Sequence, residues 1–473
     1  MKKSFLSILS LVLVGILLAS VLPLSVTAAT EKEYVIDNPY ADVDWDGWAP
    51  YKTQLHCHTT ASDGFLTIHE VIQAHYDYDY DCVAVTDHGT INPGWNNQPQ
   101  VMPLVRLVKY ERTKMSKIVP LTEQEYRAYQ SGTAVSVKRT HRNGMLDIQK
   151  GIELNAATPK ADCHLTGYYS DYGAGLIGVY GDYETPSAGV KEAGGISMLA
   201  HVGEFVYPEK DSENYVGQKV DDYYATKFAR LFLDNAGSSV GMGINSATDD
   251  HTRCDRILYD QVLQKTIPNG VVPWGFTFSD SHNDYSINDA YTIHLMPENS
   301  NAAMRASMEK GHFFAVSHYS YGYELNGMPE LPEDFEPDAE RRDTPMITNI
   351  SVDEENDTIT VTGENFNCIT WVSDGNVILR EPVENGTATL DLHAADLLAE
   401  PNLYVRFYVT GDTGICYANP MVLHVKGEDF EKVDVPKVYD TPYKLRLLVT
   451  VLDKLIFQHS IIVRLFKKLA AGY

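Results

Sequence analysis

The run Gln54-Leu55-His56-Cys57-His58, followed by Ser62-Asp63-Gly64, sets two imidazoles on either side of a thiol, with a carboxylate soon after. In an extended strand side chains alternate, so His56 and His58 share one face and Cys57 takes the other. Two such histidines can hold one metal ion, although an isolated His-x-His is more often a strand with two surface histidines. Groups of the same kind follow other short apolar runs. His88 stands in Thr86-Asp87-His88-Gly89, Glu153 follows residues 145–152, and His164 sits in Asp162-Cys163-His164-Leu165-Thr166-Gly167. His201 follows Leu199-Ala200, and Asp280 with His282 make a second pair two residues apart. Mixed imidazole and carboxylate ligands suit Zn, Mn or Fe, and several carboxylates favour more than one ion.

Those groups need a scaffold that brings strand ends together. Between about residues 50 and 325 the chain repeats one theme, a short apolar strand that ends in an ionisable residue and is followed by a helical pattern. That alternation predicts a parallel sheet or barrel, whose site lies at the C-terminal ends of the strands. Thr67-Ile68-His69-Glu70 is a capping box opening a helix that carries Val71, Ile72 and Ala74. Residues 221–233, and residues 302–308 before Gly311, have helical apolar spacing. Past residue 340 the texture changes to short β-rich runs at 347–352, 358–361, 369–372, 388–392, 404–409 and 421–425, with Gly and Asn turns that suggest a small Ig-like β-sandwich. Residues 331–345, rich in Pro and acids, read as its linker. No catalytic cluster is visible there, so a binding, spacing or packing role is expected. In the tail, Leu445, Leu448, Val449, Leu452, Leu455 and Ile456 recur at helical spacing among Lys444, Arg446, Lys454, Arg464, Lys467 and Lys468. This is an amphipathic helix for an anionic membrane surface, or one docked on the protein or a partner chain.

A chain of 473 residues, 44% hydrophobic and 22% charged, exceeds one ordinary core. Lys2 and Lys3, an apolar run from Phe5 to Leu24 and small residues up to Ala29 read as a signal peptide removed on secretion; an uncleaved anchor is the alternative. The expected division is 1–29 signal peptide, 30–340 a domain that carries the ligand-type residues, with a basic insert at about 94–150, 341–430 sandwich and 431–473 helical tail. Six cysteines are too few for a disulfide scaffold; Cys368 and Cys416 could pair in an oxidising compartment or remain buried thiols. A formal charge of -26 argues against nonspecific binding to nucleic acid. Locally the sign reverses, with Arg106, Lys109, Arg112, Lys114, Lys117, Arg127, Lys138, Arg139, Arg142 and Lys150 in one stretch. Either an anion is handled nearby or the stretch is a solvated helical surface.

His56-x-His58 with Ser62-Asp63-Gly64, Thr86-Asp87-His88-Gly89, Gly151-Ile152-Glu153, His164-Leu165-Thr166-Gly167-Tyr168, Gly194-Gly195-Ile196 through Ala200-His201, and Ser279-Asp280-Ser281-His282 resemble, in order, the motifs of the PHP (polymerase and histidinol phosphatase) family. The resemblance covers about residues 50–325. It implies a distorted seven-stranded (β/α) barrel, two or three divalent metal ions, and phosphoester hydrolysis by a metal-activated hydroxide. Carried over position by position, the ligands would be His56, His58, Asp63, His88, Glu153, His164, His201, Asp280 and His282. Asp87 would orient a ligand from behind. His251 is a candidate donor of the proton that the leaving oxygen needs. The sequence departs from small PHP nucleotide phosphatases in one respect: Val202-Gly203-Glu204-Phe205 supplies no basic residue after His201. The substrate anion would then be held by Arg139, His141 and Arg142, or by Arg253 and Arg256.

The leading expectation is a secreted multi-metal phosphoesterase acting on a phosphorylated small molecule or envelope polymer, with no nucleic-acid duplex as partner and membrane-surface contact through the tail. A cell-surface binding protein with a structural metal site, and a metal-dependent amidohydrolase, are the alternatives.

Overall fold

The computed structural model describes residues 32–100, 118–141, 143–157, 162–173, 183–206, 220–245, 253–320, 324–325, 327–332, 335–336 and 343–438. Residues 1–29, expected to be a signal peptide, the residues from Arg106 to Lys117 and the tail beyond residue 438 lie outside these. Among the described residues no helix is long and apolar enough to cross a membrane. The chain divides into units Met1–Glu33 and Tyr34–Tyr473, and every element below belongs to the second.

The strands that carry the chemistry are short. β1 (Tyr34–Asp37), β2 (Ala49–Gln54), β3 (Cys82–Val83), β4 (Leu146–Asp147), β5 (Ile152–Ala157), β6 (Asp162–Tyr168), β7 (Ile196–Leu199), β8 (Ser239–Gly243) and β9 (Trp274–Phe276) come first, then β10 (Ala290–Met296) and β11 (Phe313–Ser317). Helices α1 (Ile68–Asp77), α2 (Glu123–Gln130), α3 (Glu184–Glu192), α4 (Asp222–Asp234), α5 (Arg253–Thr266) and α6 (Asn301–Lys310) are interspersed. The capping box at Thr67 is formed, since its hydroxyl accepts from the Glu70 N–H and the Glu70 carboxylate accepts from the Thr67 N–H. Asp221 caps α4, and Gly311 ends α6 in the left-handed conformation that glycine adopts without strain.

A mixed α/β architecture is thus observed, but its ladders do not close into the expected barrel. β5-β6-β7-β8-β9 form one sheet, antiparallel across β5-β6-β7 and parallel across β7-β8-β9. β2, β3 and β4 run parallel in another. At two residues each, β3 and β4 are too short to extend a ladder around a ring. Single parallel bridges span the two gaps instead, Cys57 to Ser281 and His88 to Glu153. Both bridges lie beside metal-ligand candidates.

The later strands are β12 (Glu324–Leu325), β13 (Met328–Pro329), β14 (Met346–Asp353), β15 (Thr358–Glu364), β16 (Cys368–Ser373), β17 (Asn376–Pro382), β18 (Thr387–Asp391), β19 (Tyr404–Gly411), β20 (Gly414–Ala418) and β21 (Met421–Val425). Of these, β16, β17, β19, β20 and β21 continue the sheet that contains β2: β10 pairs with β2, β11 with β10, β20 with β11, and β19 with β20. At the far edge β1 pairs with β21, joining Tyr34 to Val425. β14, β15 and β18 make a separate three-stranded sheet. Its Ile350, Ile359, Val361 and Leu390 share a buried cluster with Trp371, Val405 and Phe407 of β16 and β19, so two β layers pack face to face. Cys368 and Cys416 do not pair: both are free thiols. β16 and β20 flank β19 on opposite sides, with Cys368 opposite Thr410 and Cys416 opposite Val409. Two strand spacings, about 9–10 Å, exceed a disulfide's reach.

Candidate metal centre

Beyond Gln54 the chain remains extended. The Cys57 carbonyl accepts from the Thr86 N–H at 3.0 Å, and the His58 N–H donates to the Ser281 carbonyl at 2.9 Å. Alternation then holds as expected: the Cys57 thiol points back to the Ala84 carbonyl at 3.4 Å, while His56 and His58 both reach Asp280. The loop then turns sharply enough that a Cβ on Gly64 would lie 2.6 Å from the His58 carbonyl oxygen. A side chain there is excluded, and the turn brings Asp63 back beside His58. Asp280 has φ 48, a left-handed backbone for a non-glycine residue of the kind that a surrounding site enforces.

Glu153 departs from the sequence expectation in placement. It does not end the strand begun near Met145; β4 stops at Asp147, the chain turns through Lys150 at φ 60, and Glu153 is the second residue of β5. His164 likewise lies near the start of β6, opposite Asn155. The site is therefore not built from strand C-termini alone.

All nine ligand candidates converge. Glu153 is fully buried at the centre: its Oε1 lies 2.7 Å from His164 Nδ1, 3.5 Å from His201 Nε2 and 3.6 Å from His56 Nε2. Its Oε2 lies 2.7 Å from His88 Nδ1 and 3.4 Å from His58 Nε2. Asp280 reaches His58 Nε2 at 2.9 Å, His56 Nε2 at 3.2 Å and His201 Nε2 at 3.6 Å. Asp63 contacts His88, His58 and His282 at 3.4–3.5 Å. Four overlapping groups have ligand atoms within 4.8 Å of one another: His58, Asp63, His88 and His282; His56, His58 and Glu153; His56, His201 and Asp280; and His88, Glu153 and His164.

The electrostatics follow from this crowding. Burial opposes ionisation of Asp63, Glu153 and Asp280, but the histidines around them hold all three carboxyls well below their ordinary range. Burial, then the nearby His282 and His88, depresses His58 to about 4. For His88 burial is outweighed by Glu153 and Asp63, which lift it to about 10.

These residues fit divalent cations on an observation independent of any resemblance. His56 Nε2, His58 Nε2, both Glu153 oxygens and Asp280 Oδ1 are buried and meet no group in hydrogen-bonding geometry. Ionised carboxylates and imidazole lone pairs are costly to bury in that state unless a cation completes them. The opposite ring nitrogens are held. His56 Nδ1 is 2.6 Å from the Thr86 hydroxyl, His58 Nδ1 3.2 Å from the Ser62 hydroxyl, and His282 Nδ1 2.8 Å from the Asp280 carbonyl, contacts that fix ring orientation behind a metal.

Asp87 acts one layer back. Its carboxylate accepts from the Thr59 N–H (2.7 Å), the Thr59 hydroxyl (2.8 Å), the Ser62 hydroxyl (2.8 Å) and Asn92 Nδ2 (3.1 Å), pinning the loop that carries Asp63. Thr86 and Ser62 are positioning residues to which sequence reasoning gave no role, although both stood inside the motifs it used.

The anion-binding candidates are placed elsewhere. The Arg139 side chain, 3% exposed, is spent on structure, donating to the carbonyls of Tyr76, Tyr80 and Asn143 and stacking on the Tyr76 ring at 4.0 Å. His141 lies 3.6 Å from Asp81, which precedes β3, so both residues sit at the end of that strand opposite the metal centre. Arg256 donates to the Ile244 and Ser320 carbonyls and pairs with buried Glu330 at 3.1 Å. Arg142, His251 and the side chain of Arg253 lie outside the described residues.

No family model and no curated protein matches the sequence. Solved structures similar to it include a two-domain protein from Bacteroides vulgatus described as containing a PHP-like metal-dependent phosphoesterase, at 14% identity, covering 82% of this chain and 99% of that one with TM-score 0.39. A protein from Bifidobacterium adolescentis described as a metal-dependent phosphoesterase is 12% identical and covers 49% of this chain and 88% of its own, with TM-score 0.25. An amidohydrolase from Chromobacterium violaceum with bound sulfate is 15% identical and covers 49% and 87%, also with TM-score 0.25. PHP-like metal-dependent phosphoesterases are thus among its structural neighbours.

Proposed function

We propose that this chain is a secreted, multi-metal phosphoesterase of PHP type that hydrolyses a phosphorylated small molecule or envelope polymer. The observation that carries the reading is the convergence of nine imidazole and carboxylate side chains at buried Glu153, among which His56 Nε2, His58 Nε2, both Glu153 oxygens and Asp280 Oδ1 meet no group in hydrogen-bonding geometry. His56, His58, Asp63, His88, Glu153, His164, His201, Asp280 and His282 would hold two or three divalent ions, with Zn, Mn or Fe matching the donor types. Such ions, when bound, supply activated water near neutral pH and positive charge for the phosphoryl oxygens.

The chain's own residues do the rest. Glu153, with one oxygen toward His56, His164 and His201 and the other toward His58 and His88, fixes the spacing between sub-sites. Thr86, Ser62 and the Asp280 carbonyl hold three rings in orientation, and Asp87 locks the Asp63 loop. His251 is proposed as donor to the leaving oxygen, and Arg142 and Arg253 remain the candidate anchors for the substrate anion. Residues 1–29 are proposed as a removed signal peptide, the C-terminal β layers as an Ig-like module, and the tail as a membrane-surface contact.

The test is to purify the mature chain, measure bound metals, and assay phosphomonoesters, phosphodiesters and an amide series before and after chelation. Phosphoester turnover lost on chelation and restored by a divalent ion is expected. A metal-loaded protein inert on every phosphoester overturns the proposal.

A further inference from the structure

The ligands differ in how far they face solvent, which gives the centre a direction. The His56, His58 and Glu153 side chains are 0% exposed, whereas Asp280 is 18%, His164 21% and His282 28% exposed. Solvent therefore reaches the centre past Asp280, His164 and His282, of which His282 is the most exposed, and residues beside these ligands meet whatever part of a ligand projects outward.

Two residues there are unusual. Phe65 is 66% and Tyr285 79% exposed, and they are the exposed large aromatic side chains among the described residues. Neither is remote from the centre. Phe65 follows Gly64, two positions after Asp63, and Tyr285 comes three positions after His282. Their loops are tied together, because the Phe65 N–H donates to the His282 carbonyl at 2.7 Å. Asp63 and His282, which those loops carry, approach within 3.5 Å in one ligand group. Single exposed apolar residues are ordinary on a surface. Here two exposed aromatic side chains both stand on the loops that carry Asp63 and His282.

We infer that Phe65 and Tyr285 form an aromatic platform at the mouth of the metal centre, and that they select phosphoesters whose leaving group presents a flat aromatic face, an aryl or nucleobase ring, over compact aliphatic ones. This rests on the proposed phosphoesterase reading and narrows its substrate class. The chemistry is complementary: anionic oxygens go to the buried centre, while the uncharged ring stacks on side chains that are otherwise hydrated apolar surface. Stacking tolerates any ring with a π face, so it sets the class of leaving group rather than one compound.

The test uses non-hydrolysable probes, so that it reads binding separately from turnover. Phenylphosphonate and methylphosphonate are titrated calorimetrically into the metal-loaded full chain, as wild type, Phe65→Ala, Tyr285→Ala, the double variant and Tyr285→Phe. Wild type is expected to bind phenylphosphonate about tenfold or more tighter than methylphosphonate, with that preference abolished in the double variant and kept in Tyr285→Phe. Methylphosphonate affinity stays within about twofold throughout, as expected for surface rings outside the metal shell. Absence of a preference in wild type, a preference that survives in the double variant, or equal losses for both probes would each overturn the inference. If the preference is seen but no phosphoester is hydrolysed, the hydrolytic reading falls and the platform stands. If aryl and aliphatic phosphoesters are hydrolysed equally well and no binding preference exists, the platform falls and the hydrolytic reading stands.

Discussion

Two clusters of buried charge in this molecule are finished in opposite ways. Where α5 meets β19, Asp260 accepts from Arg406 Nε at 2.8 Å, from Arg406 Nη2 at 2.6 Å and from the Tyr404 hydroxyl at 2.6 Å. Both carboxylate oxygens are satisfied by protein groups in a bidentate fork. Around Glu153 the charges are as deeply buried, yet its two carboxylate oxygens and the Nε2 atoms of His56 and His58 lie 2.7–3.6 Å from other ligand atoms without hydrogen-bonding geometry. A closed cluster holds layers together; an open one requires something from outside. Burial marks both, so the discriminating feature is whether the protein supplies every partner itself.

The comparison can be broken at several points. The largest effect is expected from Glu153→Gln. Loss of one carboxylate from the open cluster should release at least one ion and lower turnover by more than the roughly 100-fold typical of removing a ligand's supporting group, with the circular dichroism spectrum unchanged. Metal content by mass spectrometry, read beside the rate, checks it, and full metal occupancy in the variant would count against a central role for Glu153. Arg406→Ala should do the reverse. It strands the Asp260 carboxylate in the closed cluster, costing about 3–5 kcal/mol in denaturant unfolding while metal content of the folded protein is unchanged. Smaller, and back at the open cluster, Thr86→Val removes the hydroxyl that holds His56 Nδ1 and is expected to weaken metal affinity about 10–100-fold without loss of fold, seen by competition with a chelator. Smallest of all is Cys57→Ser. The thiol packs behind the strand against Ala84, so metal stoichiometry should be unaltered and stability should fall by about 1–2 kcal/mol for a buried hydroxyl.

Much of the open cluster was legible in the sequence because its ligands sit in short local motifs, His56-x-His58, Asp280-x-His282 and Thr86-Asp87-His88, where spacing and strand alternation act over a few residues. Helix ends were legible for the same reason, as with Thr67 and Gly311. What sequence reading missed depends on distant partners. Arg139 looked like an anion anchor because its charge is visible and its partners, backbone carbonyls of Tyr76, Tyr80 and Asn143, are not. The pairing of β1 with β21 joins residues almost 400 positions apart, and nothing local to Tyr34 announces it. β3 and β4, two residues long, are too short to express a period, so the break in the ladder and its repair by the His88–Glu153 bridge could not be read in advance.

The most direct test of the open-cluster account is a metal titration of the stripped full-length protein, followed by calorimetry and by thermal unfolding at each addition. The account predicts uptake of two or three divalent ions per chain, a melting temperature that rises with occupancy, and a lower stoichiometry in Glu153→Gln. Failure of the folded wild-type chain to take up any divalent ion would contradict it.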